Sequence, residues 1–384
     1  MQEKINSTNE TIYNLTEKHP EIIEILVSYG LDKLKNPIIR NTIGKTMTLK
    51  TVCENKNINI DEVVEKINRA VKKKGSEQIT VKGILPCPIR IPLIDKIDEF
   101  IEKNNLNIDY TLPAASTGLD WLIEETAEKE NLADIYLSAG FGLFFDDNKI
   151  GKFAKEGIFN SLEVNYNDDF KHFYDPQKIY TILGVVPAVF MVNTELLGTR
   201  DIPTKWSDLL KEVYQGEIAV PMKDLDLFNA LLLGLYTAYG KEAIEKLGQS
   251  VIKNMHPAQM VKNASANKTP LVSIAPYFFA SMLKENDKMK AVWPEDGAIA
   301  SPIFLISKKE SYENHKEFLD FLKSSEIGNI LSSNGKFPST VLGVNNNLSS
   351  DKKFIFSGFD FINNNDIASL LIELENIFYG RNEK

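Results

Sequence analysis

Cysteine is nearly missing from this chain: there are two in 384 residues, Cys53 and Cys87. A pair so far apart makes neither a disulfide framework nor a zinc ligand spacing, and it suits a reducing compartment. Basic charge is also short. Forty-four Lys and Arg face 53 Asp and Glu, for a formal net charge of −9. Phosphate neutralisation needs clustered cations, so a general nucleic-acid binder is excluded. The one basic block, Lys72-Lys73-Lys74, closes an expected helix, where cations are favoured, and leads into Gly75-Ser76. No apolar run approaches the roughly 20 residues that a spanning helix needs, so no membrane span is expected. The first residues, MQEKINSTNETIYNL, lack the basic and apolar regions of a secretory leader, and the expected location is cytoplasmic.

What is present is ordinary for a globular chain, at 43% hydrophobic and 25% charged residues. The length implies more than one compact unit. Residues 1–74 read as a small all-helical domain. Its candidate helices lie after Thr11, over Glu21–Tyr29 with Gly30 as C-cap, over Thr48–Lys56 and over Asp61–Lys73. Cys53 sits within the third of these and reads as a small buried hydrophobe.

From Gln78 to Gly140 strands alternate with helices. The strands are QITVKGIL (78–85), IDYTL (108–112) and ADIYL (133–137). Pro86-Cys87-Pro88 breaks the first, and Pro92 opens an amphipathic helix. Pro113–Gly118 breaks the second, and Leu119–Lys129 is helix-like. Such alternation implies right-handed βαβ units in a parallel sheet, with ligands collecting at the carboxyl ends of the strands. Three loops therefore carry the first candidate residues: Pro86 and Cys87; Ser116, Thr117 and Gly118; Ser138 and Phe141. Ser116-Thr117-Gly118 reads as a helix N-terminus able to hold an anion, or as a plain N-cap with Asp120 completing a capping-box-like pair.

Further on, Gly184–Asn193 (GVVPAVFMVN) reads as a buried strand, and Glu217–Val220 as another. Leu227–Tyr239 is a long apolar helix, Leu271–Ala275 a strand, and Ala298–Ser307 a strand returning to the first lobe. Met222, Lys223 and Asp224 follow the Val220 strand and join the candidate site. Asp226, two residues on, reads with them as a solvated loop charge.

Two stretches carry resemblances. TIYNLTEKHPEIIEILVSYGL followed by NPIIRNTIGKTMTLKTVCENKNINIDEVVEKIN resembles the small helical domain attached to hybrid-cluster-associated redox proteins and to iron–sulfur repair proteins. The cysteine pair of many such domains has no counterpart after Gly30-Leu31, so their redox role does not carry over. In the second half, PTKWSDLLKEVYQGEIAVP, VWPEDGAIASPIFLISKK and NHKEFLDFLKSSEIGNILSSNGKFP resemble three segments of type 2 periplasmic solute-binding proteins of ABC transporters, nearest to the ferric-ion-binding branch.

That resemblance implies an α/β fold of two lobes joined by crossing strands. The lobes would be residues 78–183 with 290–310, and residues 184–289, with a tail over 311–384. It implies binding of a small, candidate anionic, ligand in the cleft, by hinge motion, as a transport receptor or as an intracellular sensor or carrier. It also implies that Tyr277 stands where the ferric branch has two adjacent tyrosines. Here Phe278 and Phe279 follow instead, and a ferric ion prefers phenolate or carboxylate oxygens, so an organic ligand is the expectation. No metal, catalytic residue or cofactor is expected. Two alternatives stand beside the binding protein. One is a transferase or hydrolase on this fold using Cys87, which would need a base in reach. The other is an interaction module with a vestigial cleft. The helical domain is a candidate surface for a protein partner.

Overall fold

The structure is a computed structural model. It describes residues 9–20, 22–56, 58–60, 63–64, 66–67, 78–160, 162–221, 226–255, 270–284 and 288–380. The chain divides into two compact units, residues 1–79 with 96–109 and residues 80–95 with 110–384.

In the first unit the helices Ile12–Lys18, Ile22–Ser28, Pro37–Thr42 and Leu49–Lys56 surround one apolar cluster. Thr11 caps the first, its hydroxyl accepting from the Asn14 N–H at 3.3 Å. Gly30 ends the turn after Ser28 at φ +80°, a left-handed conformation that suits glycine. Ile12, Leu15, Ile22, Leu26, Leu49 and Val52 form the core, and Cys53 belongs to it; burial raises the Cys53 thiol pKa. Of the expected helix over 61–73, only Val63, Val64, Lys66 and Ile67 are described, and Val63 and Ile67 complete the same core.

The sheet is built from eleven strands among the described residues. They are β1 (Ile79–Lys82), β2 (Ile108–Thr111), β3 (Ile135–Ser138), β4 (Phe159–Asn160), β5 (Thr181–Asn193), β6 (Ile218–Pro221), β7 (Val251–Met255), β8 (Val272–Pro276), β9 (Met289–Val292), β10 (Ala298–Lys308) and β11 (Phe354–Ile355). The main path runs β2-β1-β3-β10-β5-β8-β6-β7. β1 and β3 are parallel, as are β8, β6 and β7. β10 runs antiparallel to β3 and β5, and β5 antiparallel to β8 and β9. The sheet is therefore mixed, where strand–helix alternation in 78–140 predicted a parallel one. The reason is that β10 arrives from far along the chain and inserts beside β3.

β5 joins the two halves. Its first part pairs with β10 from Thr181 to Ala188, and its last part pairs with β8 and β9 from Ala188 to Asn193. All thirteen of its residues are buried. Trp206 anchors the second half from beneath: its ring meets Phe190 edge-on at 4.8 Å, and its indole N–H donates to the Gly297 carbonyl at 2.9 Å. The tail straps the other end of β5, with the Ser339 hydroxyl donating to Leu183 O (3.0 Å) and Thr340 to Ile182 O.

Some boundaries differ from the expected ones. Pro92 lies inside the helix Cys87–Asn104 rather than opening it. Cys87 and Pro88 already form its first turn, where a missing N–H costs nothing. The expected helix over 119–129 shortens to Asp120–Glu125, and the Trp206 segment is a 3₁₀ turn. β7 and the helix Lys241–Ser250 are additional elements.

Candidate functional site

The loops that leave the carboxyl ends of β1, β2 and β3 are bound to one another. Gly83 N–H donates to Thr111 O at 3.2 Å, Leu85 N–H to Pro113 O at 2.9 Å, and Ala115 N–H back to Leu85 O at 2.8 Å. The Ser138 hydroxyl accepts from Ile84 N–H at 3.2 Å and donates to Ala139 O at 2.7 Å. Gly83 is required by this closeness, since a Cβ there would lie 1.9 Å from Leu137 O. Gly140, at φ +140°, lets the chain turn under Leu119, whose Cδ1 would be 3.2 Å from a Cβ at that position. The three loops thus form one edge.

The second half reaches the same edge through Asp226. This residue stands just before the helix Leu227–Tyr239, with a left-handed backbone (φ 56°) that aspartate tolerates better than most residues. Its carboxylate accepts from the Phe141 N–H on one oxygen and from the Asn229 side-chain amide on the other. It is half-buried, and desolvation pushes its pKa up to about 7 against these two hydrogen bonds, which pull it down. Asp226 is therefore not the solvated loop charge that its place in a polar loop predicted. The only sequence signal for its burial is the apolar run that begins at Leu227.

The other candidate residues fall into three groups. Cys87, Ser116 and Thr117 are exposed at the edge. Cys87 is the first residue of its helix, with its thiol exposed. Pro86, Ser138 and Phe141 are buried, so Ser138 serves the main chain and Phe141 offers its N–H. Met222, Lys223 and Asp224 lie outside the described residues.

Ser116-Thr117-Gly118 does not begin a helix. Ala115–Thr117 is a 3₁₀ turn, Gly118 follows at φ +81°, and the next helix starts at Asp120 with no side-chain cap, so the Thr117–Asp120 capping pair does not form. Arg90 turns away to donate to Leu112 O at 2.9 Å.

Tyr277 follows β8 and packs edge-on against Trp293 at 5.2 Å, while Phe278 and Phe279 contact each other. Among the described residues no three His, Cys, Asp or Glu side chains are placed to hold a metal ion. His172 packs against Phe173, burial lowering its pKa, and His315 is buried in the helix Lys309–Leu322.

A mixed sheet in two halves bridged by long strands, with strand-end loops meeting at one edge, is the architecture of two-lobed periplasmic binding proteins. Residues 130–365 match the family described as bacterial extracellular solute-binding protein, and the chain belongs to that family. Residues 7–64 match a domain of unknown function (DUF1858). No curated protein matches in sequence.

Among solved structures, the fold is shared with the ferric binding protein from Campylobacter jejuni at 16% identity and a TM-score of 0.57, covering 80% of this chain and 100% of that one. It is shared with the periplasmic binding protein P5PA at 19% identity and a TM-score of 0.56, covering 78% and 98%. It is also shared with the Trichodesmium FutA protein in complex with iron and citrate, at 14% identity and a TM-score of 0.56, covering 80% and 100%. The family is one of ligand-binding proteins rather than enzymes.

Proposed function

We propose that the ligand is a small organic solute with an acidic group, held where the loops after β1, β2 and β3 meet the start of the helix Leu227–Tyr239. The observation that carries this reading is the hydrogen bond from Phe141 to Asp226, which joins the loop after β3 to the loop after β6. A solute between those loops touches both halves of the sheet. Its binding energy then sets how often the halves are closed. The exposed Ser116 and Thr117 hydroxyls supply donors for an acid group at this edge.

The Trichodesmium relative is named with both iron and citrate, and the organic acid is the one of the two that suits this chain. A ferric ion wants several hard oxygen ligands. Here Tyr277 packs on Trp293 and is followed by two phenylalanines, which have none.

Native mass spectrometry of the gently purified protein, repeated after denaturation, tests the reading. The expected result is an organic adduct that denaturation removes, and no phenolate-to-iron absorption when ferric citrate is added. A visible iron band that disappears in Tyr277→Phe would overturn it.

A further inference from the structure

In the helical unit, the helices Ile12–Lys18, Ile22–Ser28 and Leu49–Lys56 all feed the core, but Pro37–Thr42 buries none of its residues. At about 100° per residue, Ile38, Thr42, Ile39 and the helical C-cap Ile43 fall within one arc of about 140°. Ile38 is 72% exposed and Ile43 51%, Ile39 is half-buried, and none of the three packs on the core cluster. The other side of the helix carries Arg40, whose guanidinium donates to the Leu34 carbonyl at 2.6 Å and to the Lys35 carbonyl at 3.1 Å. The helix thus turns its cation toward its own chain and its apolar arc outward, the reverse of a surface helix that serves a core. An apolar surface turned outward marks a contact with something else.

The rim of this arc is cationic. Between Leu31 and Lys50 stand Lys33, Lys35, Arg40, Lys45 and Lys50, against Asp32 alone, in a chain whose net charge is −9. The four lysines are exposed. Lys35 reaches Glu24 at 3.4 Å and Lys50 reaches Glu54 at 4.0 Å, pairs on the open surface that cost little to exchange for another anion.

From this arrangement we propose that the face built by Pro37–Thr42 and its lysine rim docks weakly and reversibly on an anionic lipid surface. The isoleucines enter the boundary between headgroups and acyl chains, and the lysines meet the lipid phosphates. A second copy of this chain is the poorer occupant, because a two-fold contact through this face would set lysines against lysines. Protein partners favour aromatic and methionine anchors seated in packed pockets. This arc is aliphatic and carries no ring, and a fluid surface needs no matching pocket. The rest of the chain is acidic and is repelled by the same lipids, so the approach is oriented. The inference stands on the helical unit alone and is independent of the solute reading.

Co-sedimentation of the full chain with vesicles of equimolar phosphatidylglycerol and phosphatidylcholine, against vesicles of phosphatidylcholine alone, tests it. Binding to the mixed vesicles is expected to be at least about tenfold tighter, and to weaken at least about tenfold between about 0.1 and 1 M salt, as the screening length falls from about 10 to about 3 Å. Lys33→Gln and Lys35→Gln are each expected to weaken it about fivefold. Ile38→Ser with Ile43→Ser, both at exposed positions, is expected to weaken it at least about tenfold with the melting temperature unchanged. An environment-sensitive dye on Ile38→Cys, in a Cys87→Ser background, is expected to report water in the free chain and to shift to the blue with the mixed vesicles.

Absence of binding to the mixed vesicles at low salt overturns the proposal. So does equal binding to phosphatidylcholine alone, or wild-type binding by the double serine variant. Dye emission already blue in the free chain overturns it too, since the arc is then covered by the chain itself or by a second copy.

Discussion

Along β5, thirteen successive residues are buried, and the strand is held on both sides by partners that pair residue for residue. Where the strands end, the same domain half-buries the Asp226 carboxylate and leaves Cys87, Ser116 and Thr117 exposed. Burying apolar surface stabilises, at about 25 cal/mol per Å². Burying an ionisable group opposes folding unless its partners compensate. The interior therefore holds the two halves as one sheet, while the carboxyl edge carries a polar contact whose cost the interior does not share.

The sharpest way to break that contrast is to damage the interior where it touches the edge. Gly83→Ala would push a Cβ into the Leu137 main-chain carbonyl, where no flexible side chain is free to yield. The expected result is a loss above about 4 kcal/mol, or failure to fold, seen by chemical denaturation. Next comes Trp206→Ala, which removes the ring under Phe190 and the donor to Gly297 and is expected to cost about 3–5 kcal/mol. A cost near zero would mean that the interior does not end at Trp206.

At the edge the sign reverses. The folded-state pKa of Asp226 lies above its unfolded value, so the stability it allows is full below about pH 4 and is lost as pH rises to about 7. Asp226→Asn is expected to remove that slope and to stabilise at pH 8 by about 1–2 kcal/mol, in thermal melts across pH. The smallest effect concerns the two thiols. Cys87 is expected to react with an aromatic disulfide reagent in native protein, and Cys53 only after denaturant, since one is exposed and the other sits in the helical core.

Periodicity and apolar runs made the interior legible. Leu227–Tyr239 appears as a helix with the expected ends, and GVVPAVFMVN lies within β5. Trp206 packs on Phe190 of β5, a partner that the PTKWSDLL segment does not reveal. The edge was less readable because its properties come from distant partners. Asp226 looks solvated in its own loop, and Phe141, 85 residues earlier, is what encloses it. Ser138, a candidate ligand contact in sequence, and Arg90 both bond main-chain atoms of neighbouring loops. Such bonds leave no local pattern in sequence.

The place of β10 has a consequence for how the chain is made. β10 lies between β3 and β5, yet it starts at Ala298, more than a hundred residues after β5 ends at Asn193. During synthesis both earlier strands exist for a time with a bare edge each, and those edges are apolar on their flanks. They match one another's need for a partner but not the native register, since neither is the other's neighbour. At a ribosomal pace of about 5–20 residues per second, that wait lasts some 5–20 seconds. This is ample time for a strand to pair wrongly or with another nascent chain, so correct assembly depends on the late strand finding a gap that has been kept open for it.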